Sequence, residues 1–387
     1  MQVNYYLTEE QKIIKELSAK IADEKIAPQA AELDEAEKFP WDLIKVLAES
    51  DLFAVWVPEE YGGLGGGIFE QCLVVEELSR ACAGVAVSYA ASALGGFPIL
   101  MFGTDKQKQK FMPDIASGSR LAAFALTESD AGSDAGNIRT TATHNKNCYV
   151  LNGTKQWITN GGEADIYTVI ATLDPKKGPR GMAAFIVEKG TPGFSFGKTE
   201  KKMGIRSSST RELIFKDCEI PAENLLDREG KGFLIAMRTL DKTRPGVAAQ
   251  AVGIAQGALD KASEYAITRV QFGKRIGEFQ AIEHMLADMA TQIEAARALT
   301  YSVARMIDSG ERHISKASAM AKLFASDVAM KVTCDAVQIF GGYGYMRDYP
   351  VEKMMRDAKI TQIYEGTNQI QRSIIGSEVI KGALRRK

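Results

Sequence analysis

The stretch Cys148-Tyr149-Val150-Leu151-Asn152-Gly153-Thr154-Lys155-Gln156-Trp157-Ile158-Thr159 decides the fold class. Its ends, 148–151 and 156–159, are β-rich runs, and Asn152-Gly153 between them suits a tight hairpin turn. Similar runs follow at 166–173, 182–188 and 212–220, separated by Asn160-Gly161-Gly162, Pro175 and the glycines at 190 and 193. Residues 121–228 therefore read as an antiparallel β domain.

On both sides the period becomes helical. Within residues 1–120, behind Met1-Gln2-Val3-Asn4, Thr8 and Gln11 fit a capping box, and Ile13, Ile14, Leu17 and Ile21 recur at helical spacing. The glycine-dense segment 60–67 (EYGGLGGG) reads as a loop. Within 229–387, Pro245 suits the first turn of a helix reaching about residue 270. Ile282, Leu286, Met289, Ile293, Ala296, Leu299, Val303 and Ile307 mark a long bundle helix with one apolar stripe, and another helix covers 315–340. The expected class is α+β: an N-terminal helical domain, a middle antiparallel β domain and a C-terminal helical bundle. Strands do not alternate with helices, which argues against a parallel nucleotide-binding sheet. Neither 62–67 nor Gly341-Gly342-Tyr343-Gly344 has the G-x-G-x-x-G spacing of a dinucleotide fingerprint.

Composition narrows the function. A chain of 387 residues, 45% hydrophobic and 25% charged, builds a globular core without disulfide or metal staples. A net charge of −1 with scattered basic residues argues against nucleic-acid binding. With no run of about eighteen apolar residues, no membrane span is expected. Cys72, Cys82, Cys148, Cys218 and Cys334 form no CxxC pair and read as buried small hydrophobes. His144, His284 and His313 lack metal-ligand spacing, so no metal is expected. Without a secretory core or an Arg-rich transit pattern, the chain reads as bacterial-like and cytoplasmic, or as a mitochondrial matrix protein if processed in an organelle.

Five segments carry candidate chemistry. In Ile363-Tyr364-Glu365-Gly366-Thr367 a lone carboxylate follows apolar and aromatic residues, a setting that raises its pKa and suits a general base; a charge in a helix's first turn is the plainer reading. Residues 126–134 (LTESDAGSD) offer hydroxyls and amides in a turn-rich loop, for a cofactor or for solvent. Trp157 and Thr159, two apart on a strand, face one side and could stack on and hydrogen-bond a flat heterocycle, or simply half-bury an indole. Arg269 in RVQFGK could reach a pyrophosphate or end a helix, and Gly341-Gly342 could admit a phosphate or form a C-cap.

Taken together, 126–134 (LTESDAGSD), 155–161 (KQWITNG), 269–274 (RVQFGK), 338–345 (QIFGGYGY), 349–360 (YPVEKMMRDAKI) and 363–372 (IYEGTNQIQR) resemble the acyl-CoA dehydrogenase family in order and spacing, nearest its short- and medium-chain members. The resemblance implies α,β-dehydrogenation of a short- to medium-chain acyl-CoA, with Glu365 as base and hydride passing to the N5 of FAD. It places Phe124, Leu126, Thr127, Trp157 and Thr159 at the flavin ring and Ser133 at cofactor or CoA. Arg269, Gln271, Phe279, Gln280, Gln338, Gly341 and Gly342 would hold the ADP half across a subunit interface, with Thr367 and Gln369 as further flavin contacts. Asp241, Arg244, Tyr364 and Gly366 would meet the substrate. It further implies a homotetramer, a dimer of dimers, and electron-transferring flavoprotein as acceptor. Thr243 stands where some relatives carry the base and cannot serve as one. Ser129 replaces a usual proline, and Ser377 replaces an arginine of the medium-chain type. The small residues Ala86, Ala90, Ala91, Gly95, Gly96 and Gly246 would wall the acyl cavity. A branched or cyclic acyl group, or an acyl-CoA oxidase, is the alternative.

Overall fold

In the computed structural model, which describes residues 5–385, helices occupy both ends of the chain and strands the middle. Met1-Gln2-Val3-Asn4 lie outside the described residues. The first helices are α1 (Glu9–Ile21), α2 (Ala30–Ala36), α3 (Trp41–Glu49), α4 (Ile68–Ala81), α5 (Ala83–Phe102) and α6 (Asp105–Ala116). Thr8 and Gln11 form the reciprocal capping box at the start of α1.

The sheet comprises β1 (Ala122–Ala125), β2 (Thr141–Asn145), β3 (Cys148–Thr159), β4 (Ile166–Thr172), β5 (Met182–Glu188), β6 (Phe194–Thr199), β7 (Thr210–Pro221) and β8 (Leu225–Leu226). Its order is β6-β7-β3-β2-β4-β5-β8, with β1 added beside β4. The sheet is mixed, because β1 and β2 both pair in parallel with β4. Asn152-Gly153 is not a hairpin turn. β3 continues through it, and the ladder to β7 merely slips between Leu151 and Gly153. The Asn152 side chain explains this: it accepts from the Asp217 amide at 2.8 Å and donates to the Asp217 carboxylate at 3.1 Å, fastening the slip from across the ladder. The turn falls earlier, at Lys146-Asn147, where Asn145 faces Cys148 and Lys146 takes φ 53°.

The second helical block holds α7 (Gly232–Thr268), a hairpin of β9 (Val270–Gln271) and β10 (Lys274–Arg275), α8 (Gln280–Asp308), α9 (Ser315–Phe340), α10 (Val351–Thr361) and α11 (Asn368–Leu384). Pro245 lies inside α7, not in its first turn. The helix survives because the segment is buried on nearly every side, and tertiary packing against α4, α8 and α9 outweighs one lost backbone bond. Gly253 allows the α4–α7 crossing: a Cβ there would stand 2.1 Å from the Glu76 carbonyl.

α5 holds the long apolar run that the sequence was expected to lack. It is long and apolar enough to cross a membrane, with mean hydropathy 1.7, yet 72% of that window is buried within the molecule. Here it is a core helix resting on the sheet, and a Cβ at Gly95 would stand 2.5 Å from the Ala123 amide. Of the cysteines, Cys72, Cys82 and Cys218 are buried, but Cys148 is half-buried and Cys334 exposed; all are free thiols.

Candidate active site

Between α4, α5, α7, the strand ends and the α10–α11 loop lies a cavity of about 330 Å³. Glu365 enters it from the loop, in a left-handed backbone conformation (φ 50°) that costs a non-glycine residue roughly 1–3 kcal/mol. The strain is held by bonds from three helices. Arg244 Nε on α7 donates to the Glu365 carbonyl at 3.3 Å, and Gln371 Nε2 on α11 donates to the Glu365 and Gly366 carbonyls at 3.2 and 2.9 Å. Lys322 Nζ on α9 donates to the Gly366 carbonyl and to Asn368 Oδ1, both at 2.9 Å. Thr367 caps α11 through the Ile370 amide.

The Glu365 carboxylate accepts from Thr243 Oγ1 at 2.8 Å. Burial pushes its pKa above the usual carboxylate value, against the opposing pull of Thr243, Arg244 and Lys322. Burial likewise draws the Lys322 ammonium down to about 7, against the attraction of Glu365. The Tyr364 hydroxyl meets Gln250 Oε1.

Phe124, Leu126, Thr127, Trp157 and Thr159 line the same cavity from the sheet. The β3–β7 ladder slips again between Lys155 and Ile158, and Trp157 takes φ 56° and remains 57% exposed. Behind this wall Lys155, fully buried, donates to Glu128 Oε1 at 2.7 Å and to the Leu126 carbonyl at 3.0 Å. Burial draws Lys155 down to about 8. Burial also works against the Glu128 charge, but Lys155, Thr140 and the Arg139 amide outweigh it and hold that carboxyl low. Reciprocal Glu128–Ala131 backbone bonds close the loop that contains Ser129.

The cavity thus gathers Phe124, Leu126, Thr127, Ser133, Trp157, Thr159, Arg244, Tyr364, Glu365 and Gly366. Asp241 does not line it. That carboxylate stands behind Arg244, bonded to Nη1 at 2.6 Å and to the Ser315 hydroxyl, because a buried guanidinium needs a partner. Thr367 is occupied as a cap, and Gln369 and Ser377 are exposed away from the cavity. Of the small residues, Ala90, Ala91 and Gly246 line the cavity, whereas Ala86, Gly95 and Gly96 do not. Gly95 instead admits the Ala123 backbone, and Gly96 admits Trp56. Lys322, Gln371, Gln250, Gln71 and the Lys155–Glu128 pair escaped the sequence reading as site-building groups.

A second, separate concavity is lined by Tyr265, Arg269, Gln271, Phe340, Gly341, Gly342 and neighbours. The Arg269 guanidinium stacks 5.3 Å over Tyr343. No atom lies within 4 Å of a Cβ built at Gly341 or Gly342. Phe279 packs edge-on to Phe272, which is 94% exposed; Gln280 and Gln338 are exposed nearby in sequence but do not line this concavity. Among the described residues, no cluster of three His, Cys, Asp or Glu could hold a metal.

Comparison with known proteins gives the family. The chain matches the models of the acyl-CoA dehydrogenase N-terminal domain over residues 8–119, middle domain over 123–218 and C-terminal domain over 230–380. It is 49% identical to an acryloyl-CoA reductase (NADH) of Anaerotignum propionicum, covering 98% of this chain and 97% of that one. The butyryl-CoA dehydrogenase of Megasphaera elsdenii superposes with a TM-score of 0.95 at 49% identity, over 98% of this chain and 100% of that chain. A chain from structural work on the electron transferring flavoprotein of Acidaminococcus fermentans does so with a TM-score of 0.95 at 52% identity, over 97% and 99%.

Proposed function

The chain belongs to the acyl-CoA dehydrogenase family, and from that premise we propose that it desaturates a short acyl-CoA between Cα and Cβ, with Glu365 as the base. The observation that carries this reading is a carboxylate bound by Thr243 and raised in pKa by burial, lining one mostly apolar cavity together with Trp157 and Thr159.

The residues fit FAD. Trp157 presents an exposed indole from a strained backbone beside the Thr159 hydroxyl, and a flat heterocycle would cover both. Arg269 with Gly341 and Gly342 forms an open cationic cradle suited to a diphosphate. When bound, FAD supplies the hydride acceptor. Glu365 takes the α-proton. The Glu365 N–H, which meets no backbone acceptor among the described residues, is free to polarise the thioester carbonyl. Val87, Leu94, Ile370 and Ile374 exclude water, which keeps Glu365 basic and strengthens that polarisation.

Similarity to the Megasphaera enzyme supports a butyryl-sized substrate, and that to the Acidaminococcus chain supports electron-transferring flavoprotein as partner. The 49% identity to an acryloyl-CoA reductase (NADH) supports reduction of an enoyl-CoA, the reverse direction, as a second reading. The exposed β9–β10 hairpin and the half-open start of α8 leave a face that further copies would cover in a homotetramer. We place the protein in the bacterial cytoplasm. Anaerobic addition of butyryl-CoA should bleach the flavin band, and Glu365→Gln should slow that by at least about 10²–10⁴-fold. Near wild-type bleaching by the variant would overturn the assignment.

A further inference from the structure

Four deeply buried polar side chains line the cavity: Gln71, Thr243, Arg244 and Gln250. Three have partners. Thr243 donates to Glu365, Arg244 pairs with Asp241, and Gln250 donates to the Ala83 carbonyl at 3.2 Å and accepts from Tyr364. Gln71, on α4 and only 2% exposed, makes no side-chain hydrogen bond among the described residues, and its Oε1 is buried unpaired. A buried amide left unpaired is costly enough to need an explanation, and an amide on a cavity wall has one available in a ligand.

Its position says which part of a ligand it meets. Gly246 lies on α7 three residues after Thr243, about 4.5 Å along the helix axis. A Cβ built at Gly246 would meet only Gln71 Nε2, at 4.0 Å, so the glycine leaves that amide uncovered. Gln71 therefore faces α7 about one helical turn from Thr243, whose hydroxyl holds Glu365, a separation that a short acyl tail spans. The surrounding wall, Val87, Ala90, Ala91 and Leu94, is apolar.

We propose that Gln71 is a specificity-determining residue, and that the acyl group it selects is short and ends in a hydrogen-bonding atom, a hydroxyl foremost. An amide offers one acceptor and two donors, and a hydroxyl can answer either. A plain hydrocarbon tail leaves the amide unpaired in the complex too, and sites built to bond a substrate group discriminate strongly against analogues that lack it. The inference rests on the dehydrogenase reading.

The test uses the flavin-loaded enzyme with butyryl-CoA, 4-hydroxybutyryl-CoA and hexanoyl-CoA, in wild type and Gln71→Leu, with Gln71→Met in reserve should the first variant misfold. Wild type should prefer the hydroxyl-ended substrate to butyryl-CoA by about tenfold or more in kcat/KM, and either variant should reverse that order. A wild-type ratio near one would mean that solvent satisfies the amide, and it would overturn the proposal. So would a hexanoyl-CoA optimum, or a ratio unchanged in a folded variant. Absence of flavin bleaching by all three substrates would instead defeat the dehydrogenase assignment, and this inference with it.

Discussion

Thr243 on α7 donates its hydroxyl hydrogen to Glu365 Oε2 at 2.8 Å, so a threonine, not a second acid, stands beside the proposed base. Burial raises the Glu365 pKa, and this bond lowers it again by favouring the charged form. The base acts as carboxylate, so turnover should fall as pH drops through that raised value. Thr243→Val removes the donor. The acid limb of the kcat/KM profile should move to higher pH, with a plateau loss of about tenfold. A limb that stays in place would separate the hydroxyl from the reacting group.

Lys322 acts on the same loop from the far side, through the Gly366 carbonyl. Its folded pKa of about 7 lies below the ordinary 10.5. Between those values the unfolded chain binds more protons than the folded one, so this group's contribution to stability rises with pH across that window. In Lys322→Met that contribution vanishes, and the wild-type advantage in thermal midpoint should widen from pH 7 toward pH 10. Losing the cation should also raise the Glu365 acid limb. A midpoint difference that does not change with pH would place the titration elsewhere.

Elements with a strong period were legible in the sequence: the apolar repeat from Ile282 to Ile307 does lie in one helix, and Thr8 does cap α1. Asn152-Gly153 misled because the turn signal is local, whereas the Asn152–Asp217 bonds that keep the strand continuous come from 65 residues away. Pro245 misled for the same reason, since only packing tells an interior proline from an initial one. At the site, Glu365 stood out through its apolar neighbours and the glycine beside it. Lys322 and Gln71 left no trace, because a lysine or glutamine on an amphipathic helix looks solvated until the fold buries it.

The Lys155–Glu128 pair carries a stability prediction. Lys155 is fully buried and Glu128 nearly so. Removing one partner strands the other charge, which costs about 3–5 kcal/mol. Lys155→Met should lower the denaturant midpoint accordingly, and adding Glu128→Gln should restore part of the loss. If the double variant is no more stable than the single, the penalty comes from packing and not from the stranded charge.

Assembly and cofactor retention should fail together. Phe272 projects from the β9–β10 hairpin with 94% of its surface exposed, edge-on to the Phe279 ring. An exposed ring suits a partner surface, and Arg269 lies three residues away, lining the concavity with Gly341 and Gly342. If a second copy seats on Phe272, it also closes the cradle proposed for the diphosphate. Phe272→Glu should then reduce the mass measured by light scattering and let FAD escape on dilution. Arg269→Ala should keep the mass but weaken FAD retention, leaving the rate of flavin reduction at saturating FAD nearly unchanged, since it removes a charge partner and no reacting group. A Phe272→Glu protein that keeps full mass and tightly bound flavin would show that the hairpin is not an interface. One that loses mass but retains FAD would show that each cradle is complete within a single chain.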